Sequence, residues 1–270
     1  MILRRNPKLG MGLAVVITLV VLATLGDALW PWDAVTRDTA ARDAAPSLQH
    51  WLGTDRLGFD VLALVLRALR TSIAVGLVTS ALVTLIGTAM GLLAGYVGGG
   101  VDTVVMRIAD LVLAFPGLVL ALAAVALLGP DMRNVVIVMT LLLWPMTARL
   151  IRSRVLSVRT WPFIDAARAL GAGSWRIVLR HVFPQVAGTA VTAATLTTAA
   201  AILIEANLSF LGLSDPTLPS LGKLLAGAQS QRILATRWWL WIPPGVTLVS
   251  LILGLYLIGE GLRDRLQRRL

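Results

Sequence analysis

The chain has 270 residues, of which 57% are hydrophobic and 14% charged, and its mean hydropathy is +0.82. This composition excludes an ordinary soluble domain and indicates an integral membrane protein. The net charge is +10, and the absence of cysteine excludes a disulfide framework and a thiolate metal site.

Six long apolar runs predict an all-α, polytopic membrane protein with six transmembrane helices. A helix needs about 20 residues to cross a hydrocarbon core of about 30 Å. The runs lie at 9–26, 71–101, 111–130, 134–148, 182–204 and 238–259. The fourth run is short, but Arg133 and Arg149 at its ends can extend towards the headgroups.

The distribution of basic residues predicts the orientation. The first apolar run is too long for a cleaved signal peptide, so we predict a retained first helix. With the N-terminus inside, the inner segments hold fifteen of the 24 lysines and arginines. Positive charge collects on the cytoplasmic side, so both termini are expected there, beside anionic lipid headgroups. Nothing else in the chain supports nucleic-acid binding.

The chain divides into two parts by its hydropathy pattern. Residues 1–70 are expected to hold the first transmembrane helix and an extracytoplasmic loop. Residues 71–270 are expected to form a core of five helices, with a polar cytoplasmic loop (called the polar loop below) at about 152–183. Leucines and a phenylalanine at helical spacing within 59–69 predict an amphipathic helix on the outer surface, with a continuation of the second span as the alternative.

Glycines and prolines mark the second to fourth spans. Glycines at every fourth residue from Gly87 to Gly95 predict a bare helix face on which another helix packs closely. Gly98-Gly99-Gly100 predicts a helix break on the cytoplasmic side. Pro116 and Pro145 each remove a backbone donor, and they predict kinks in the third and fourth spans.

The polar loop has the pattern of two short helices. Pro162 suits a helix start, and Gly171-Ala172-Gly173 predicts the break between the two helices. The residues expected on the face that packs against the membrane helices are Phe163, Ala166, Ala167, Leu170, Ser174, Ile177 and Val178. Small residues in this loop would let a partner approach closely. The alternative is a plain arginine-rich loop held inside by its charge.

The residues Asp165-Ala166-Ala167-Arg168-Ala169-Leu170-Gly171 resemble the E-A-A-x-x-x-G loop of ABC importer permeases. Asp165 replaces the glutamate of that motif, and Phe183 replaces a usual leucine before Pro184. Three further stretches resemble the C-type permease of the dipeptide and oligopeptide branch. They lie at 50–60 in the outer loop, at 113–117 in the third span and at 205–213 at the end of the fifth.

The resemblance implies a type I ABC importer permease fold in a bacterial inner membrane, with cytoplasmic coupling helices. The residues that it implies for docking to an ATPase are Asp165, Ala166, Ala167, Leu170, Gly171 and Pro184. The implied partners are a homologous second permease, two cytoplasmic ATPases and an extracytoplasmic substrate-binding protein. ATP and Mg²⁺ would bind to the ATPases. This chain would bind no cofactor and catalyse nothing, and it contains no P-loop and no metalloprotease motif.

Four residues are candidates for the translocation pathway. Glu205 is an acid within a predicted span, and such groups are often functional. A buried structural role for Glu205 is the alternative. Asn207 and Phe115 lie in the stretches that carry the resemblance. Asp110 is a weaker candidate, because a structural role explains it better, as a cap or in a pair with Arg107 one turn away.

Other classes of function remain alternatives on the sequence alone. An ATP-independent secondary transporter or channel subunit would show paired ionisable groups near the midplane and two matching halves with broken helices. A membrane scaffold would need no solvent pathway. The resemblance leaves the substrate open among dipeptides, oligopeptides, nickel, haem and glycan fragments.

Overall fold

The structure is a computed structural model that describes residues 7–30, 35–230 and 236–267, and these parts are mostly helical. The helices are α1 (Pro7–Leu29), α2 (Val61–Val97), α3 (Gly99–Leu113), α4 (Gly117–Leu128), α5 (Met132–Val158), α6 (Pro162–Ala169), α7 (Ser174–Ile177), α8 (Phe183–Phe210), α9 (Leu221–Ser230) and α10 (Ile242–Gln267). A π-helical turn (Val178–Val182) joins α7 to α8, and a 3₁₀ turn (Trp238–Leu240) precedes α10.

The described residues contain five segments that are long and apolar enough to cross a membrane. They are Pro7–Gly26, Val61–Val97, Met132–Val158, Ser174–Phe210 and Trp238–Arg265. The bent pair of α3 and α4 makes a sixth if it counts as one span. The predicted all-α, polytopic architecture is therefore confirmed.

The third predicted span, 111–130, covers only the end of α3 and all of α4, and the kink predicted at Pro116 is confirmed. α3 ends at Leu113 and α4 begins at Gly117, and the two helices are bent by 84°. Pro116 has no backbone N–H and adopts an extended conformation just before α4, so the chain turns there. Pro145, by contrast, lies inside α5, which continues through it.

The amphipathic surface helix predicted at 59–69 is wrong, and its alternative, a continuation of the second span, is right. α2 is one continuous helix whose first turn is capped by Asp60, which accepts the Ala63 N–H at 2.8 Å. Leu66 and Leu69 are buried in the helix bundle. Their apolar spacing therefore reflects packing within the protein and not contact with lipid headgroups.

The length of α2 places the end of the preceding loop earlier than expected. At a rise of 1.5 Å per residue, the helix is about 55 Å long. It therefore exceeds a hydrocarbon core of about 30 Å. The loop that follows α1 ends at Asp60, so the expected boundary at residue 70 falls inside α2.

The glycine face of α2 packs against α5, as the spacing predicts. A Cβ at Gly87 would stand 2.6 Å from the Thr147 Cβ. One at Gly91 would stand 2.7 Å from the Ala148 carbonyl oxygen. The helix then ends at Gly98, whose φ of 72° is a left-handed value that favours glycine.

α2 is the centre of the bundle, with α1, α5 and α8 packed around it, while α1 also packs against α10. One apolar cluster, which includes Leu69, Ile202 and Leu251, joins α1, α2, α8 and α10. A second cluster ties the polar loop to the bundle, because Ile164 and Ile177 of the loop are buried with residues of α5. The loop is thus a packed part of the fold.

Candidate functional site

The polar loop lies at the end of the bundle where α2 ends. The Arg159 guanidinium donates to the Gly95 carbonyl at 3.1 Å, and the Arg168 guanidinium lies 5.9 Å from the Tyr96 ring centroid. The loop contains the two short helices that the sequence predicts, α6 and α7, separated at Gly171-Ala172-Gly173.

The packed face of α6 differs by about one residue from the predicted face. Ile164 is fully buried, and Ala167 and Ala172 pack beside it. Phe163, which was expected to be buried, is 41% exposed and lies edge-on to Trp161. A helix of eight residues contains only about two turns, so its period does not determine the buried face sharply.

Gly171 closes α6 in a Schellman motif. Its N–H donates to the Arg168 carbonyl at 2.9 Å, and the Ala172 N–H donates to the Ala167 carbonyl at 3.0 Å. Gly171 has φ +80°, the left-handed conformation that this motif requires. The motif holds Leu170 outwards, where the side chain is 88% exposed.

The residues proposed to dock an ATPase are mostly on the surface. Asp165, Ala166, Gly171 and Pro184 are exposed, as is Leu170, and Ala167 is half-buried. Asp165 forms an exposed ion pair with Arg168 at 3.2 Å. The first five residues of the set lie on α6 and its closing turn, whereas Pro184 is the second residue of α8.

Trp175 is a surface residue that the sequence reasoning missed. It lies on α7 and is 71% exposed, so that the loop presents a second large apolar side chain beside Leu170. Single exposed apolar residues are ordinary, and the two on this ordered loop make it a candidate interaction surface. The only feature of the sequence that could have indicated this exposure is the position of Trp175 between glycines and an arginine.

A π-helical turn connects the loop to α8. It spans Val178–Val182 and contains His181, whose ring lies 6.3 Å from the Phe163 ring. Such turns are rare and often lie at functional sites. The turn therefore stands between the loop surface and a membrane-spanning helix.

Glu205 is enclosed within the chain. Its side chain is buried, Oε1 accepts from Ser209 Oγ at 2.6 Å, and Oε2 accepts from Ser72 Oγ at 3.2 Å. These hydroxyls belong to α8 and α2, and the geometry supports the structural alternative for Glu205.

The other pathway candidates are dispersed. Asp110 pairs with Arg149, which supports the structural alternative, although the partner is not the Arg107 that the sequence suggested. Phe115 is 55% exposed at the bend between α3 and α4, and Asn207 is half-buried on α8. In the described residues, no hydrogen bond or ion pair joins these candidates to Glu205.

One face of α2 lines two cavities, and sequence reasoning missed this feature. The α2–α8 groove, of about 1080 Å³, is lined by Leu77, Ala81, Thr84 and Thr88 of α2 and reaches Trp175. A second cavity of about 510 Å³, called the Arg67 pocket, lies towards the start of α2. The α2 residues that line it include Arg67, Arg70 and Ala74.

Two threonine hydroxyls in the groove have no hydrogen-bond partner within the described structure. They belong to Thr84 and Thr88, one turn apart on α2, and both oxygens are buried. A buried hydroxyl without a partner lowers stability, so such groups usually meet an additional partner. Because both oxygens are buried, they are not accessible to a molecule in the groove in these side-chain conformations.

Comparisons with known proteins give one consistent family. The family profile described as "Binding-protein-dependent transport system inner membrane component" matches residues 87–270. The chain is 37% identical to the glutathione transport system permease protein GsiD of Pectobacterium atrosepticum, over 99% of this chain and 89% of that protein. It is 36% identical to the dipeptide transport system permease protein DppC of Alkalihalophilus pseudofirmus, over 99% and 88%.

The fold is similar to that of a solved transporter. A chain of the MetNI methionine ABC transporter, in an inward-facing conformation, aligns with a TM-score of 0.62 and 21% identity, covering 76% of this chain and 95% of that one. This likeness confirms the predicted type I permease fold. The protein belongs to the family of binding-protein-dependent transport system inner membrane components, and it is a non-catalytic permease subunit of an ABC importer.

Proposed function

We propose that this subunit forms half of the translocation pathway for short peptides or a closely related solute. The two relatives described above are named for glutathione and dipeptide transport, and both solutes contain peptide bonds. A homologous second permease would form the other half, and an extracytoplasmic binding protein would deliver the solute.

The observation that carries the proposal is the ordered surface of the polar loop. Leu170 and Trp175 are exposed on a loop that Ile164 and Ile177 anchor in the bundle. An ATPase that binds this surface can move the helices behind it, because the loop is packed against them. We propose that two ATPases, which hold ATP and Mg²⁺, bind this loop and its counterpart in the second permease.

The second part of the proposal concerns the pathway. The α2 face that lines both cavities runs from Arg67 to Thr88 with alternating steps of three and four residues, so it is one continuous helix stripe. Of the earlier pathway candidates, Asn207 and Phe115 remain predictions.

Alternating access gives the mechanism. A ligand shifts a two-state equilibrium only if it binds one state better than the other. ATP binding would favour the closed ATPase pair, which draws the two polar loops together and opens the pathway to the outside. Hydrolysis would then restore the inward-facing state.

A crosslinking experiment tests the docking surface. A photoreactive residue at Leu170 should capture the ATPase, whereas one at Leu57, an exposed leucine of the loop before α2, should not. Capture of the ATPase from Leu57 and not from Leu170 would overturn the proposal.

A labelling experiment tests the proposed orientation, in which both termini lie in the cytoplasm. The chain has no cysteine, so single cysteines can be placed at Leu48 and Ser157, which are both exposed. A membrane-impermeant thiol reagent added outside should modify Leu48→Cys in intact cells and Ser157→Cys only after permeabilisation. Labelling of both from the same side would contradict this topology.

A further inference from the structure

We propose that α3 lies along the cytoplasmic surface of the membrane and binds lipid through an exposed apolar stripe, instead of crossing the bilayer. The stripe, called the α3 stripe below, consists of Val101, Val104, Ile108 and Leu111. The cytoplasmic side follows from the proposed topology, because α3 begins where α2 ends beside the polar loop. The inference does not depend on which solute is transported.

The axis of α3 runs across the direction in which α5 spans the membrane. Only three residues join α4 to α5, and Ala121 of α4 shares an apolar cluster with Met139 of α5, so the two helices are antiparallel neighbours. α3 is bent by 84° from α4. An axis at nearly a right angle to a spanning helix lies close to the membrane plane.

Two ion pairs with α5 agree with this direction. Asp102 pairs with Arg152, and Asp110 pairs with Arg149. From one pair to the other, α3 advances by about 12 Å along its axis, whereas α5 advances by only about 4.5 Å. Helices that run side by side would advance equally, so α3 crosses α5 here.

The α3 stripe is separate from the side of α3 that packs on α5. Its residues follow one another by steps of three and four, and they are 42–67% exposed. Ala109, by contrast, is fully buried in a cluster with Ala148 and Trp144 of α5. The protein therefore holds α3 by one side and leaves a continuous apolar side uncovered.

A third side of α3 is polar. Thr103 and Arg107 lie one turn apart on it and are exposed. Both acids of α3, Asp102 and Asp110, are paired with arginines of α5, whereas the structure of the described residues gives the Arg107 side chain no ion pair or hydrogen bond. A cation beside an apolar stripe suits the anionic headgroups of the cytoplasmic leaflet.

The composition of the α3 stripe favours lipid over another helix as its occupant. Membrane helices that pack closely on one another use small residues at the contact, as α2 does at Gly87 and Gly91. The α3 stripe contains only valine, isoleucine and leucine. A surface helix with such a side buries it at the boundary between headgroups and acyl chains.

The test measures the depth of nitroxide labels in the membrane. The chain has no cysteine, so a single introduced cysteine places the label at one known position of this subunit. The assembled transporter is placed in phosphatidylglycerol–phosphatidylcholine vesicles, and the wild-type chain, treated in the same way, gives the background from the partner subunits. Relaxation by oxygen, which concentrates in lipid, is compared with relaxation by nickel ethylenediaminediacetate, which stays in water.

Labels along the α3 stripe should lie in lipid at nearly one depth. A spanning helix would change depth by about 10 Å over the seven residues from Val101→Cys to Ile108→Cys, and we expect less than half of this change. Thr103→Cys, on the polar side, should be relaxed more by the nickel complex. The exposed stripe of α10 from Val246 to Leu253 has the same spacing and is the control, because labels there should become deeper along the helix.

Three results would overturn the inference. A depth change of about 10 Å along the α3 stripe would make α3 part of a membrane span. Exclusion of both relaxing agents from Val104→Cys and Ile108→Cys would place the second permease on the stripe. Nickel relaxation at these two positions equal to that at Thr103→Cys would place the stripe in an aqueous pathway. The labelling of Leu48→Cys and Ser157→Cys described above tests the side of the membrane separately.

Discussion

Ser72 on α2 donates its hydroxyl to Glu205 on α8 at 3.2 Å, inside the bundle. Ser209 adds a second hydrogen bond at 2.6 Å to the same carboxylate. An acid at membrane depth is costly unless it is paired, and here the chain supplies its partners. Glu205 therefore joins two membrane-spanning helices that are distant in sequence.

Glu205→Gln should destabilise the complex, because an amide NH₂ would face hydroxyls that now donate to a carboxylate. An unsatisfied buried group costs roughly 1–3 kcal/mol. We expect a lower melting temperature of the purified complex, with uptake per assembled complex unchanged. Glu260→Gln is the matched control, since Glu260 forms a half-exposed ion pair with Lys8 and should matter little. Altered uptake at unchanged stability would instead place Glu205 in the pathway.

Gly91→Ala should separate α2 from α5. The new Cβ would stand 2.7 Å from a backbone oxygen of α5 and 2.8 Å from Ile151 Cβ, so the helices must shift. Overpacking of this kind costs roughly 1–3 kcal/mol, measurable as a lower melting temperature. Gly227→Ala in α9 is the control, since its Cβ would meet nothing within 4 Å. Equal effects of the two substitutions would contradict close packing at Gly91.

The loop before α2 should become less stable in acid, because the Asp38 carboxylate becomes protonated. The Ala40 and Ala41 N–H groups donate to its carboxylate at 3.0 and 3.2 Å and lower the pKa of Asp38 below 3.8. The charged form is thus favoured in the folded loop, so its contribution is present above pH 3.8 and is lost as the pH falls through the lowered pKa.

Hydrogen exchange of residues 36–60, corrected for intrinsic rates, checks this prediction. The extra protection of the wild type over Asp38→Asn should be undiminished at pH 5 and disappear below about pH 3.8. A difference that disappears between pH 7 and pH 5 would point to another group.

Gly171→Ala should weaken coupling through the backbone. Gly171 has φ +80° and its Cβ would touch nothing within 4 Å, so the effect is strain of about 1–2 kcal/mol and not a clash. Gly171→Asn should be milder, because asparagine tolerates this conformation. Gly173→Ala is the control, with an ordinary φ of −65° and equally open surroundings. ATP hydrolysis stimulated by the binding protein is the measurement, and an equal loss in Gly173→Ala would contradict the explanation.

Sequence reasoning was most reliable where one local signal decides the structure. The glycine spacing on α2 predicted close packing with another helix, which is α5, and Gly171-Ala172-Gly173 predicted the break between α6 and α7. Hydropathy was less informative about where a helix bends. The run at 111–130 is continuous in hydropathy, yet Pro116 turns the chain by 84°.

The remaining features depend on contacts between distant residues. Arg67 and Arg70 interrupt the hydropathy of α2 but not the helix, because charged side chains are tolerated where a helix leaves the hydrocarbon. The partners of Glu205 and the cavities along α2 arise only when several helices meet. No local pattern contains this information.

The affinity of the ATPase for the assembled permease pair tests the central claim most directly. Leu170→Glu replaces an 88% exposed apolar side chain on the polar loop with a charge, while Leu57→Glu makes the same change on the loop before α2. Loss of a hot-spot residue costs about 2 kcal/mol or more, so if Leu170 is an anchor of the interface, Leu170→Glu should weaken ATPase binding at least about tenfold. Leu57→Glu should bind normally. ATPase binding by Leu170→Glu at the wild-type affinity would contradict the proposed role of the loop.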